Sequence, residues 1–234
     1  MEKEKKKLIR LIYDYDRIEI RDVDEGEEPF LYSTKNHGPG YVDVKGGVGI
    51  DEFFECAVGL LADVIVTNQV PVDIVIGMMT GGALPGYRLK QLLQERLGKR
   101  IIYIYQRGAR KEGGHSELDT GDRNNCFVKK GCYGLVAEEL VNFAGTTTNG
   151  VLYERNVKGQ IVDHAATILF YENPVAIKRL KDNQINMHWV ITLPEVLNLG
   201  LSEGYITKNQ FNSYNAFLRD PKTWNESRGY QFFG

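Results

Sequence analysis

"VDIVIGMMTGGALPGYRLKQLLQERLGKRIIYIY", residues 72–105, sets two short apolar runs on either side of a periodic segment. The runs at 72–79 and 100–105 are rich in Val, Ile and Tyr and too short for buried helices, so they read as buried strands. Between them Leu89, Leu92, Leu93 and Leu97 share one stripe of a helix, and Gly98 stands where a helix stops. Three more runs continue the pattern: "CYGLVA" (132–137), "ATILFY" (166–171) and "MHWVITL" (187–193). Strand–helix alternation with apolar strands implies right-handed crossovers and an α/β fold built on a doubly wound, mostly parallel sheet.

A single domain over residues 1–234 fits the layout, with a core at about 69–193. Residues 1–68 and 194–234 then form a small hood lobe and flanking helices. "RIEIRDV" and "FLYST" are strand-like, residues 51–68 predict an amphipathic helix, and the tail predicts helices over 194–204 and 207–219.

The composition, 42% hydrophobic and 26% charged over 234 residues, suffices for one sizeable core. A formal charge of −2 gives no long-range attraction to nucleic acid or anionic membrane, so any bound anion needs a local site. No apolar stretch approaches the roughly 20 residues of a membrane span. The charged start, "MEKEKKKLIR", lacks a secretion signal's apolar segment, and a cytoplasmic location is expected. Cys56, Cys126 and Cys132 have no metal-ligand spacing and read as reduced thiols; no residues are assigned to a resident metal.

In an open parallel sheet, ligands gather beyond the carboxyl ends of the strands. The first loop there, "TGGALPG", offers backbone N–H groups at Thr80, Gly81 and Gly82, a seat for phosphate oxygens or simply a tight turn. The second, "QRGARKEGGHSELDTGD", is long, polar and glycine-laden, with Arg107, Arg110 and Lys111 near its front. Its cations suit a polyanion and its glycines a closing loop; a solvated surface loop is the plainer account. The third, "EELVNFAGTTTNG", pairs Glu138 and Glu139 with a small-residue turn at Ala144, Gly145, Thr146 and Thr147. Two carboxylates suit a vicinal diol or a divalent cation held through water, and the turn suits a phosphate. A phosphorylated ribose has both a diol and a phosphate.

These segments resemble the type I phosphoribosyltransferases and, within them, the orotate phosphoribosyltransferases, over about residues 28–224. "EELVNFAGTT" is similar to the family's phosphoribosyl-pyrophosphate motif, "DIVIGMMTGGALP" to its pyrophosphate loop, and "YQRGARKEGG" to its mobile catalytic loop. "FLYSTKNHGPGYVDVK" resembles the hood of the orotate branch, and "EGYITKNQFNSYNAFLRDPKTW" its C-terminal helices. The resemblance implies transfer of 5-phosphoribosyl from phosphoribosyl pyrophosphate to orotate, giving orotidine 5′-phosphate and pyrophosphate in pyrimidine (UMP) biosynthesis. It implies Mg²⁺ and a homodimer whose mobile loops reach the neighbouring site. By the same resemblance Arg107 and Lys111 serve the leaving group, with Thr80, Gly81 and Gly82 holding pyrophosphate oxygens. Glu138 and Glu139 hold the ribose hydroxyls, and the stretch Asn142, Phe143, Ala144, Gly145, Thr146, Thr147 surrounds the 5′-phosphate. Orotate rests near Ser33, Thr34, Tyr41 and Lys45.

The chain departs from the family pattern at several places. Gly113 stands at the loop's usual histidine, with His115 two places on, and Asn142 and Phe143 replace hydroxyl residues of the phosphate turn. Lys35 replaces a hood glycine, which is strained if that position requires a positive φ. The alternative reading is therefore a non-catalytic, regulatory relative that binds phosphoribosyl pyrophosphate or a nucleotide. A transferase for another nucleobase is the other variant.

Overall fold

The computed structural model describes residues 1–32, 34–107, 118–120 and 129–233. In chain order the elements are α1 (Glu2–Asp14), β1 (Ile18–Ile20), β2 (Phe30–Leu31), β3 (His37–Gly38), β4 (Gly40–Val42), α2 (Asp51–Thr67), β5 (Ile74–Met78), α3 (Ala83–Leu97) and β6 (Ile102–Gln106). They continue with β7 (Asp119–Thr120), β8 (Tyr133–Val141), α4 (Gly145–Tyr153), β9 (Ile161–Phe170), α5 (Pro174–Asp182), β10 (Asn186–Thr192), α6 (Leu193–Glu203), α7 (Lys208–Arg219) and α8 (Pro221–Glu226).

The expected doubly wound sheet is present, in the order β10-β9-β8-β5-β6-β7. Its strands run parallel from β10 to β6, and β7 alone is antiparallel, folded back on β6. Every residue of β5 is buried, as a central strand covered on both faces requires. Val75 and Leu135 pack with α1, α2, α3, α6 and α7, while Ile74, Ile76 and Val136 pack with α4 and α5. The chain leaves β5 toward β6 and later returns to lay β8 on β5's other side. That reversal places the ends of β5 and β8 at the switch point of the sheet.

The charged start folds as α1, because Leu8, Ile9, Leu11 and Ile12 form one buried stripe against the core. Arg10 ties it to Glu203 of α6 through a bidentate ion pair. The "TTTNGVLYERNVKG" segment is helical despite Asn149–Gly150: α4 passes into a single π-turn at Glu154–Lys158. A Cβ at Gly150 would sit 2.8 Å from Met78 Sδ and 2.9 Å from Gln106 Oε1, so those side-chain ends would have to shift to admit one. Among the described residues no helix is long and apolar enough to cross a membrane.

The small strand pairs β1–β4 and β2–β3 stand over the carboxyl end of the sheet. Gly38 and Gly40 are required by close packing there, because Cβ atoms would run into the rings of Tyr32 and Tyr214. Lys35 does adopt a positive φ of 66°, a conformation costing a side-chain-bearing residue roughly 1–2 kcal/mol. Lys35→Gly is therefore expected to stabilise the protein by roughly 0.5–1 kcal/mol, the relief being partly offset by glycine's greater unfolded-state entropy. Urea melts compare the two proteins; a destabilised variant contradicts the strain.

Candidate active site

The hood and the ends of β5 and β8 enclose a cleft of about 600 Å³. It is lined by Thr80, Gly81, Glu138, Glu139, Asn142, Phe143, Ala144, Gly145, Thr146 and Thr147 from below. Thr34, Tyr41 and Lys45 line it from the hood. The sequence-predicted residues of three separate segments thus meet in one place.

Glu138 and Glu139 belong to the last part of β8, where alternation would send them to opposite faces of the sheet. Both nevertheless border the cleft, which opens at the strand's end. Glu138 is 7% exposed, and its Oε1 accepts from Thr147 Oγ1 at 3.3 Å. Burial pushes its carboxyl well above the usual carboxylate range, and the Glu139 charge adds to the shift. Glu139 is raised as well, by burial, with Lys45 opposing. Its Oε2 is buried without a protein partner. A Cβ at Gly81 would fall 1.7 Å from Glu139 Oε1, so the β5 turn has to be glycine for the carboxylate to lie over it.

Gly82 differs from the expectation. Its N–H donates to the Met78 carbonyl at 2.8 Å and is not open to an anion. Its role is closeness: a Cβ would lie 2.3 Å from the Ala137 carbonyl oxygen of β8. The open part of this turn is Thr80 and Gly81.

Beyond β8 the chain turns through Ala144, at φ 56° and ψ 19°, directly into α4. The first intrahelical acceptor is Ala144, bonded by Thr148 N–H at 3.0 Å. The N–H groups of Gly145, Thr146 and Thr147 thus precede any intrahelical partner and project at the positive end of the helix dipole. Phe143 gives the turn only its backbone. The ring is 7% exposed, joins the core cluster and meets Phe232 edge-on at 6.1 Å, so it does not plug the cleft.

Two residues that sequence reasoning missed complete the turn. Asn173, the N-cap of α5, donates Nδ2 to Asn142 O at 2.8 Å and to Asn142 Oδ1 at 3.0 Å. Arg179 Nη1 donates to Phe143 O at 2.7 Å, and Arg179 lines the cleft. The signal for α5 was present in "ENPVAIKRLKDN": an Asn cap, Pro at the first helical position, and Ala176 and Leu180 at helical spacing.

Arg107 lies at the root of the β6–β7 arm, where its N–H bonds Leu118 O at 2.7 Å, and it is not among the residues lining the cleft. Ser33 and Lys111, with Gly113 and His115, fall outside the described residues.

The orotate phosphoribosyltransferase of Sinorhizobium fredii is 25% identical over 206 residues, covering 87% of this chain and 84% of that protein. The chain is similar in sequence to the orotate phosphoribosyltransferases. No family model matches it. Its fold is that of the orotate phosphoribosyltransferase of Aeropyrum pernix, with a TM-score of 0.62 over 82% of this chain and 97% of that one, at 20% identity. The UMP synthase of Leishmania donovani gives a TM-score of 0.69 over 91% of this chain at 18% identity, and the chain spans 42% of that longer protein. The β5–α3 turn, the acidic doublet and the α4 turn therefore sit in the type I phosphoribosyltransferase fold.

Proposed function

We propose that the protein transfers the 5-phosphoribosyl group of phosphoribosyl pyrophosphate to orotate, releasing pyrophosphate and forming orotidine 5′-phosphate for pyrimidine synthesis. One observation carries the reading: the buried Glu138 carboxylate, the half-buried Glu139 beside it and three uncommitted helix N-terminal amides share a cleft with the Thr80–Gly81 turn. Ionised Glu138 and Glu139 accept hydrogen bonds from the neighbouring ribose hydroxyls. The amides of Gly145, Thr146 and Thr147 receive the 5′-phosphate. Thr80 and Gly81 face the pyrophosphate. Tyr41, Thr34 and Lys45 of the hood border the base, with Lys45 the cation for its carboxylate.

As the C1–oxygen bond breaks, its electron pair leaves with pyrophosphate and positive charge builds on the ribose. Fixed cations at the departing group stabilise that change, each worth on the order of 3 kcal/mol. By the family resemblance Lys111 and Arg107 take this role, and the hood over the cleft helps to exclude water, which competes with orotate for the ribosyl centre. Mg²⁺ fits this donor set: it binds through a carboxylate and substrate phosphates, and Glu139 Oε2 is a buried acceptor with no protein partner beside Gly81. When bound, the ion neutralises pyrophosphate charge. The proposal includes a cytoplasmic homodimer. Met79, Leu84 and Tyr87 expose apolar surface around the start of α3, beside the cleft, and suit burial between two copies.

The test is orotate consumption, followed by its absorbance, with phosphoribosyl pyrophosphate and Mg²⁺. Turnover that falls at least about 100-fold in Lys111→Ala is expected. Binding of phosphoribosyl pyrophosphate without turnover on orotate or any other base would instead establish a regulatory relative.

A further inference from the structure

The 5′-phosphate site has a shortage of donors. Asn142 and Phe143 bring no hydroxyl and the Thr147 hydroxyl is already given to Glu138, which leaves the turn the hydroxyl of Thr146 alone at the cleft. The phosphate of a phosphoribosyl group carries close to two negative charges at neutral pH, and the acidic doublet in the same cleft repels it. Three amides and a helix dipole offset part of this. A full positive charge is missing from the list of ligands.

Helix α5 supplies one. Arg179 projects from it onto the turn, half-buried, with Nη1 2.7 Å from Phe143 O. A methyl group at Gly145 would lie 3.3 Å from the same nitrogen, which fixes the guanidinium beside the first amide of α4. The side chain is one of those lining the cleft. Among the described residues no carboxylate pairs with it, in contrast to Arg10, Arg17, Arg88, Arg96, Arg155 and Arg228. One N–H of five is engaged with the turn, and a guanidinium anchored in this way keeps its remaining donors in the planar fork that matches phosphate oxygens. Asn173 of the same helix holds the preceding residue, Asn142, so both contacts grip the start of the turn. The helix thus braces the turn from its N-cap and brings a cation to it from its last turn.

We propose that Arg179 is a direct ligand of the substrate's terminal phosphate, taking the place of the hydroxyl donors the turn lacks. This rests on the phosphoribosyl reading above, and the ligand class is a phosphomonoester dianion on a sugar. The guanidinium would keep its bond to Phe143 O and close over the phosphate opposite the α4 amides.

Titration of the full-length protein with ribose 5-phosphate, and separately with pyrophosphate and Mg²⁺, tests this. Arg179→Gln is expected to weaken ribose 5-phosphate about 30- to 100-fold while changing pyrophosphate affinity less than about twofold. Arg179→Lys should recover part of the loss, keeping charge without the fork. A direct ion pair also predicts a shallower salt dependence in Arg179→Gln, and a smaller affinity gain as the ligand's second ionisation proceeds around pH 6. Asn173→Ala, which removes a brace and no charge, should leave both slopes unchanged. Unaltered ribose 5-phosphate affinity in Arg179→Gln overturns the proposal. So does loss of both ligands together with a lowered melting temperature, because that marks a scaffold role. Wild type that binds ribose 5-phosphate through Arg179 but transfers nothing to orotate upholds this inference and defeats the transferase reading. Wild type that turns over and ignores Arg179 does the reverse.

Discussion

Replacing Glu138 and Glu139 together by Gln is expected to cut affinity for phosphoribosyl pyrophosphate at least several-hundred-fold while raising the melting temperature at neutral pH. The two effects have one origin. Both carboxyls are pushed upward by burial, Glu138 further by its neighbour's charge, and Glu139 is partly relieved by Lys45. A carboxyl whose folded pKa exceeds its unfolded value holds its proton more tightly in the fold. Stability then declines as pH rises from the ordinary carboxylate range through the raised folded value. At neutral pH these charges therefore oppose folding, and the neutral amides remove that opposition. The amides equally remove two anionic acceptors for the ribose hydroxyls. Hydrogen bonds to charged groups are worth about 1.5–3 kcal/mol each, so losing both costs on the order of 4 kcal/mol. Calorimetric titration alongside thermal melts checks the pair of outcomes. Lower affinity with an unchanged or higher melting temperature identifies a binding doublet; unchanged affinity shows the acids to be a strand terminus and nothing more. Wild-type affinity should also weaken on acidification at a higher pH than an ordinary carboxylate would give.

Much of this cleft was legible before any coordinates. The apolar runs were short, β-branched and regularly spaced, so β5, β6, β8, β9 and β10 could be placed from pattern alone. The doublet and the Gly81 turn were readable because each is local: glycine and charge at a strand's end have few structural uses. What failed to show was set by contacts distant in sequence. Helix α1 hides its apolar stripe in a lysine-rich segment, and although α5 carries its own cap and spacing, the meeting of Arg179 with Phe143 O joins residues 36 apart. The fate of Phe143 depends on Phe232, which no local pattern connects to it. Gly82 reads as an anion seat, yet its amide is taken by Met78, and only the close approach to Ala137 explains the residue. Lys35 is the converse case. The sequence posed the question of a positive φ, and the hood turn answers it, with Lys35 N–H on Tyr32 O at 2.8 Å.

The second large effect is expected away from the cleft, at Glu154. This residue in the π-turn after α4 is 0% exposed, and neither carboxylate oxygen has a hydrogen-bond partner. Asp119, whose charge acts on Glu154, has a buried Oδ1 without a partner too, so it offers an oxygen where the carboxylate needs a donor. Burial pushes its pKa from the usual 4.5 up to about 7; the Asp119 charge adds to the rise and Lys158 opposes it. Because the folded value lies above the unfolded one, the folded protein keeps this proton across the interval that an unfolded chain would have released it. Stability should therefore fall as pH rises from about 4.5 to about 7 and stay reduced beyond, by about 3 kcal/mol for this group. Glu154→Gln removes the charge, keeps the shape and supplies two N–H donors where Asp119 offers an acceptor. It is expected to gain about 2–3 kcal/mol at pH 8 and little at pH 4.5, where the native acid is already neutral. Urea unfolding at both pH values decides the matter, since a gain of equal size at each would trace to packing. A variant less stable at pH 8 would mean that the carboxylate is ionised and held by a cation or ordered water.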